Sequence, residues 1–334
     1  MARKSREIAK ILVIKLGALG DFVQALAAMQ HIRAAHPKAH ITLLTTPPFE
    51  ALARASPYFN DVETDGRPEG IGDAVSMIRR LRRAHYDRVY DLQTSSRSNL
   101  YFYLLQPFGP QWSGVAFGCS LPHRNPERGR MHTLERQADQ LRAAGIWPGA
   151  PIRSGAAPPA DLSWILKKGP AARPVSASAG RPYALLVPGS SAHRPEKRWP
   201  VEQFGELGEI LRKRGLEILI LGGMEESALA RSIQRKVQAR DLTGRTDFAQ
   251  IAALAARATV AIGNDTGPMH LIAAAGAPTL VLFSSASDPT VCGPRGHVAV
   301  LQSDKLDDLA VSQVVQAVDR LAPAPPSFVW RTAP

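Results

Sequence analysis

Along the chain, short runs of leucine and β-branched residues alternate with longer stretches whose apolar positions recur at helical spacing. Ile11 to Lys15, Ile41 to Thr45 and Arg88 to Leu92 read as strands, with shorter ones near Val62 and Val115, and helices fit at 21–36, 72–84 and 132–144. Nearly continuous apolar strands separated by helical patterns predict parallel sheets with crossover helices. From 149 to 182 the pattern dissolves into Ala, Pro, Gly and Ser around a short Leu162 to Leu166 segment, as in an interdomain connection. A second series then follows, with strands at Tyr183 to Val187, Leu216 to Leu221, Thr259 to Ile262, Thr279 to Phe283 and His297 to Leu301. Its helices fit at 200–214, 224–238, 247–256, 267–275 and 307–321. The expectation is α/β: two doubly wound domains, 1–165 and 183–322, joined by a linker at 166–182 and followed by a tail at 323–334. Two such domains facing each other leave a central cleft, and ligands of open α/β sheets bind beyond the carboxyl ends of strands.

Composition narrows the class. The 334 residues are 45% hydrophobic and 21% charged, ordinary globular values that exclude a disordered chain, a fibre or a multi-span membrane protein. The formal charge is +12, and it is uneven: residues 1–180 hold 24 basic and 14 acidic residues, against 17 and 15 in residues 181–334. An anionic partner is therefore expected for the first half. Nucleic acid is disfavoured, because no recognised signature or basic-aromatic stretch occurs and aromatics are 6%. The two cysteines, Cys119 and Cys292, are far apart and lack metal-ligand spacing, which argues for a reducing compartment and against a disulfide framework or zinc site. Arg3, Lys4, Arg6 and Lys10 before an apolar run mimic a signal peptide, but Lys15 and Asp21 interrupt that run. The reading is cytoplasmic, with contact at a membrane surface.

The chemistry should lie in loops that follow strands. Leu16-Gly17-Ala18-Leu19-Gly20-Asp21 leaves the first strand and opens the first helix. Gly17 and Gly20 permit close approach, and the Gly spacing departs from the dinucleotide fingerprint. Asp21 either stabilises the helix N-terminus or accepts a proton from a substrate. Pro188 to Pro200 follows the first strand of the second half, where Ser190 and Ser191 can wrap oxyanions beside Lys197 and Arg198. Gly263 to His270 is again strand, loop and helix, and the amides of Gly267, Met269 and His270 are expected to face an anion beside Asp265 and Thr266. A fourth loop, Phe283 to Thr290, can reach the same space. Glu225, after Gly222-Gly223, could hold ribose hydroxyls. In the first half Gln93 and Arg97 end a strand, and Arg124, Arg128, Arg130, His132 and Arg136 crowd one region, an arginine wall suited to phosphate or carboxylate unless its members are solvated surface.

These loops together resemble glycosyltransferase family 9, the lipopolysaccharide heptosyltransferases, over nearly the whole chain. The resemblance rests on ILVIKLGALGDFVQAL at Ile11 to Leu26, PGSSAHRPEKRWP at Pro188 to Pro200, Asp241-Leu242-Thr243-Gly244, and above all GNDTGPMHL at Gly263 to Leu271. It implies a GT-B architecture of two Rossmann-like domains and an inverting, metal-independent transfer from a nucleotide-diphosphate sugar, without a cofactor. It carries the acceptor-side base onto Asp21, diphosphate binding onto Ser190, Ser191 and Lys197, and donor binding onto Asp265, Thr266 and Gly267. No D-x-D triplet occurs, consistent with a leaving group neutralised by backbone dipoles and Lys197.

The expected activity is transfer of a sugar, heptose from ADP-heptose, to an anionic lipid-linked glycan of the lipopolysaccharide core, held by Gly17, Gly20, Gln93, Arg97, Arg124, Arg130 and Arg136. Alternatives are another nucleotide sugar or acceptor, a non-catalytic nucleotide-sugar binder, and a Rossmann oxidoreductase, which the missing G-x-G-x-x-G disfavours.

Overall fold

A computed structural model describes residues 8–149, 155, 157–168, 180–191 and 193–322. The chain divides into two compact units between Ala160 and Asp161. That division falls ahead of the boundary read from composition, because the Ser163–Lys168 helix packs on a helix of the second unit. Most of the expected linker, the expected tail and Arg3, Lys4 and Arg6 lie outside the described residues.

In the first unit the strands are β1 (Lys10–Ile14), β2 (His40–Leu44), β3 (Asp61–Glu63), β4 (Arg88–Asp91), β5 (Gln111–Gly114) and β6 (Leu121–Pro122). They form one parallel sheet in the order β3-β2-β1-β4-β5-β6. Helices α1 (Leu19–Ala35), α2 (Glu50–Ala55), α3 (Ile71–Arg83), α4 (Ser96–Leu105) and α5 (Thr133–Ala143) connect and cover it. After the exposed Lys10, β1 is apolar because both of its faces are covered: Ile11, Leu12, Val13 and Ile14 are fully buried. α1 buries residues on every side, including Phe22, Leu26, Met29 and Ile32, and ends at Ala35, with His36 capping it ahead of Pro37. The aromatic-rich α4 carries little helical periodicity, yet a capping box between Ser95 and Ser98 starts it.

The second unit begins with α6 (Ser163–Lys168). Its strands are β7 (Tyr183–Val187), β8 (Glu217–Ile220), β9 (Arg240–Asp241), β10 (Val260–Asn264), β11 (Thr279–Ser284) and β12 (Val298–Ser303). The helices between and after them are α7 (Val201–Lys213), α8 (Ser227–Gln234), α9 (Phe248–Ala255), α10 (Gly267–Ala274), α11 (Pro289–Cys292) and α12 (Val311–Leu321). The parallel order is β12-β11-β10-β7-β8-β9, the first unit's order repeated from its own first strand. Its core joins Leu186, Ile218, Ile220, Ile262 and Leu282 of the sheet to Phe204, Leu207, Ile233 and Val314 of the helices. In each unit the chain reverses its direction of winding between the first and fourth strands, which opens a crevice at their carboxyl ends. In the first unit that point is β1/β4, and in the second it is β7/β10.

Candidate functional site

The β1/β4 crevice of the first unit collects charge. β1 runs into Lys15, 4% exposed, whose Nζ donates to Leu92 O at 3.3 Å. Burial pushes the Lys15 ammonium below its ordinary pKa; Asp21 and Asp91 act against that, Arg136 and Arg128 with it. Leu16 N–H donates to Gln93 Oε1 at 2.9 Å, so Gln93 clamps the two strand exits together and its carbonyl is already engaged. Gly17 has φ +117°, and a Cβ there would stand 2.8 Å from the Phe49 ring, which itself stacks on Phe22. The turn thus needs glycine both for its backbone angle and for space. It delivers Asp21, exposed, into the first turn of α1, while Gly20 is buried.

Beside it, Asp91 is fully buried, and burial pushes its carboxyl up to about 6. Oδ1 accepts from the N–H groups of Gln93 at 3.0 Å and Thr94 at 2.9 Å. Among the described residues Oδ2 has no hydrogen-bond partner, since the nearby Ser98 hydroxyl donates to Ser95 O at 3.1 Å. This turn holds Thr94 at φ +46°, a conformation costly for a β-branched residue and common at functional sites. Thr94 Oγ1 accepts from Arg128 Nη2 at 2.7 Å, and Arg128 Nε donates to His123 Nδ1 at 3.1 Å. His123 therefore carries its proton on Nε2 and donates to Asp139 at 2.9 Å, in keeping with a pKa that burial lowers. Burial, with the Arg136 charge adding to it, draws Arg128 down to about 10. Arg136, anchored to Thr133 Oγ1 at 3.2 Å, is also lowered by burial, with Asp21 opposing.

The centre of the first unit is thus Lys15, Asp21, Asp91, Arg128 and Arg136. Of the expected residues, Arg97 and Arg124 are exposed, and Arg130 is 89% exposed beside Glu127 at 3.5 Å. Arg130 points to solvent because the Pro126–Gly129 turn carries it outward, whereas Arg128 of the same turn faces inward. Sequence reasoning passed over Lys15, whose signal was a lone cation in an otherwise apolar strand exit.

At the β7/β10 crevice of the second unit, Asn264, fully buried, staples two loops. Its Oδ1 accepts from Trp199 N–H at 3.0 Å and its Nδ2 donates to Pro188 O at 2.7 Å. That staple brings Lys197 Nζ to 2.7 Å from Asp265 Oδ2. Ser190 is buried, with Arg198 donating to its hydroxyl at 3.2 Å and its carbonyl at 3.1 Å, while Ser191 is exposed. Arg194 reaches Ala286 O at 2.8 Å, drawing in the loop after β11.

Thr266 is the N-cap of α10 without a side-chain cap bond, and Pro268 occupies the first turn. The amide expectation changes at one residue: Met269 N–H donates to Thr266 O at 3.1 Å and its side chain is wholly buried, because it packs against Gly263, where a Cβ would stand 2.6 Å from its sulfur. His270 is likewise buried. The carboxylate turned inward after β8 is Glu226, not Glu225, which is exposed. Glu226 Oε2 accepts from Gly223 N–H at 2.6 Å, its side chain lies against Gly189, and burial raises its pKa. Glu225 and Glu226 are adjacent in the chain, and the rotation of the first turn decides which of them faces the loop. Among the described residues no cluster of three or more potential metal-ligating side chains occurs.

Known proteins resemble this chain in sequence and fold. The sequence model of glycosyltransferase family 9 (heptosyltransferase) matches residues 74–310. Lipopolysaccharide heptosyltransferase 2 of Escherichia coli K12 is 26% identical over 317 residues, spanning 87% of this chain and 86% of that protein. Lipooligosaccharide heptosyltransferase 2 of Haemophilus ducreyi is 26% identical over 313 residues, 87% of this chain and 88% of that protein. The solved structure of E. coli ADP-heptose heptosyltransferase II superposes with a TM-score of 0.75 at 22% identity, covering 94% of this chain and 98% of that one. That of E. coli heptosyltransferase WaaC with ADP gives 0.73 at 20% identity, covering 94% and 100%.

Proposed function

Since the chain belongs to glycosyltransferase family 9 and shares the two-domain GT-B fold of these structures, we propose that it is an inverting heptosyltransferase using ADP-heptose, without a metal, on an anionic acceptor of the lipopolysaccharide core. The observation that carries the donor side is the 2.7 Å Lys197–Asp265 pair, which ties the β7 loop to the N-terminus of an eight-residue helix. An ammonium, the Ser190 loop and the first amides of α10 form an anion-binding concavity matched to a diphosphate. E. coli WaaC, bound to ADP, has this fold.

Asp21 is the base. It takes the proton of the acceptor hydroxyl as the acceptor oxygen bonds to the anomeric carbon; the bond from that carbon to the β-phosphate oxygen breaks, and the nucleoside diphosphate leaves with its negative charge met by Lys197 and the α10 amides. Arg128 and Arg136, drawn inward and desolvated, hold an acceptor phosphate or carboxylate near Lys15. Glu226 and Glu225 lie after β8, where an acidic residue meets ribose hydroxyls in nucleotide-binding folds. The protein works at the cytoplasmic face of the inner membrane; no described helix is long and apolar enough to cross one.

The test separates the two centres. Asp21→Asn is expected to retain ADP binding by calorimetry while transfer falls roughly 10²- to 10⁴-fold, the usual worth of a positioned base. Lys197→Ala is expected to weaken ADP binding itself. Normal turnover in Asp21→Asn removes the base assignment, and a thermal-shift panel in which a different nucleotide sugar stabilises the protein more than ADP-heptose removes the donor assignment.

A further inference from the structure

The outer face of the first unit carries apolar side chains that its core does not use. Ile71 (86% exposed) and Val75 lie on α3, Leu100, Tyr103 and Leu104 on α4, and Phe108, just past α4, is 99% exposed. On α3 the exposed positions Ile71, Val75, Arg79 and Arg82 fall on one stripe, and on α4 so do Arg97, Leu100 and Leu104. The two helices pack side by side, and Arg82 Nη2 donates to Leu104 O at 2.5 Å, so the stripes adjoin.

Charge on this face is one-sided. α3 holds four arginines and one acid, Asp73, in its first turn; α4 holds Arg97 and no acid. Arg79, Arg82, Arg83 and Arg97 are exposed and enter no ion pair among the described residues. The neighbouring carboxylates Glu63 and Asp65 are both held by Arg80. A cavity of about 870 Å³ opens where this face ends, lined in part by Arg82, Arg88, Leu105, Pro107 and Phe108.

We propose that the α3–α4 face docks the protein on an anionic phospholipid bilayer. Guanidinium groups pair with lipid phosphates while Phe108, Ile71 and Leu104 enter the interfacial layer, the combination that holds amphipathic surfaces on membranes. A second copy of the same face would set arginine against arginine, and an uncharged apolar partner would leave the guanidinium groups without counter-charge. The consequence is functional: α4 starts directly after the Thr94 corner, so docking sets the Asp21–Arg136 centre beside the layer in which a lipid-linked acceptor sits. That consequence rests on the proposed acceptor; the docking itself does not.

Flotation of the full chain with vesicles tests it. Phosphatidylglycerol–phosphatidylethanolamine vesicles are expected to carry the protein, less so as salt is raised, and phosphatidylcholine vesicles to leave it behind. Arg79→Gln with Arg83→Gln, and separately Phe108→Ser with Ile71→Ser, should each lower partition roughly tenfold. Their melting temperatures and transfer to a water-soluble acceptor fragment should stay as in the parent. Equal binding to neutral vesicles, or binding untouched by either double variant, overturns the proposal. So does a concentration-dependent dimer abolished by Phe108→Ser in a protein that floats with neither vesicle. The readout uses neither donor nor turnover, so its failure leaves the transferase assignment standing.

Discussion

Burial holds several side chains against their own ionisation. Lys15 is drawn down and Asp91 up to about 6, each shifted by burial against the charge it carries in water. His36 gives a cleaner readout. Its Nε2 lies 2.8 Å from Tyr90 OH, and burial, with Arg88 and Arg33 nearby, lowers its pKa to about 4. The folded state therefore favours the neutral ring. As pH falls from about 6.5 toward 4, the unfolded chain takes the proton first and stability is lost through that window. For a half-buried ring the loss is on the order of 1–2 kcal/mol after allowance for solvent screening. His36→Gln, which cannot titrate, should lose correspondingly less stability between pH 7 and 4 in urea unfolding. Parallel pH profiles for the two proteins would remove His36 from this role.

Loops gain their precision from the strands that end beneath them. Asn264 closes β10 and satisfies Trp199 N–H and Pro188 O at once, both buried. Removing the amide strands a donor and an acceptor, each costing about 1–3 kcal/mol when buried without a partner. Asn264→Ala is therefore expected to lower the urea midpoint and also to weaken ADP binding, because the Lys197 loop loses its anchor. A variant destabilised to this degree with unchanged ADP affinity would show that the staple serves folding alone. Gln93 does the equivalent at the β1/β4 exits, which explains why a residue expected to meet acceptor is found bonded to Leu16 N–H.

Each unit encloses its own core and repeats the same strand order, yet their chemistry differs. The +10 excess of residues 1–180 follows from 24 basic and 14 acidic residues, against +2 from 17 and 15 in the remainder. Arg128, Arg136 and the arginine-rich α3 fall in that first part, whereas the proposed diphosphate concavity of the second unit would rely on the Lys197 ammonium, the Ser190 loop and backbone amides. ADP should accordingly act on the second unit. At a hundred times its dissociation constant it adds about 2.7 kcal/mol to the state that binds it. In calorimetry the transition that moves should be the one lost from a Lys197→Ala protein's response. A melting profile indifferent to ADP would contradict the donor site in the second unit.

Sequence periodicity was enough for the two doubly wound series, because buried parallel strands must be apolar on both faces and so stand out locally. The Gly263 to Leu271 and Pro188 to Pro200 motifs were legible for a similar reason: strand, turn and helix N-terminus lie adjacent in the chain. Helix α4 was not, since its Ser95–Ser98 cap precedes an aromatic run without helical periodicity. Nor was the grouping of Lys15 with Asp91, Arg128 and Arg136, which come from three distant segments that meet only when the sheet forms. Side-chain direction was also beyond reach: whether Glu225 or Glu226, or Arg128 or Arg130, turns inward depends on a rotation of a single turn. Composition records which groups a chain owns; packing decides which of them lose water, and that loss is what sets their chemistry.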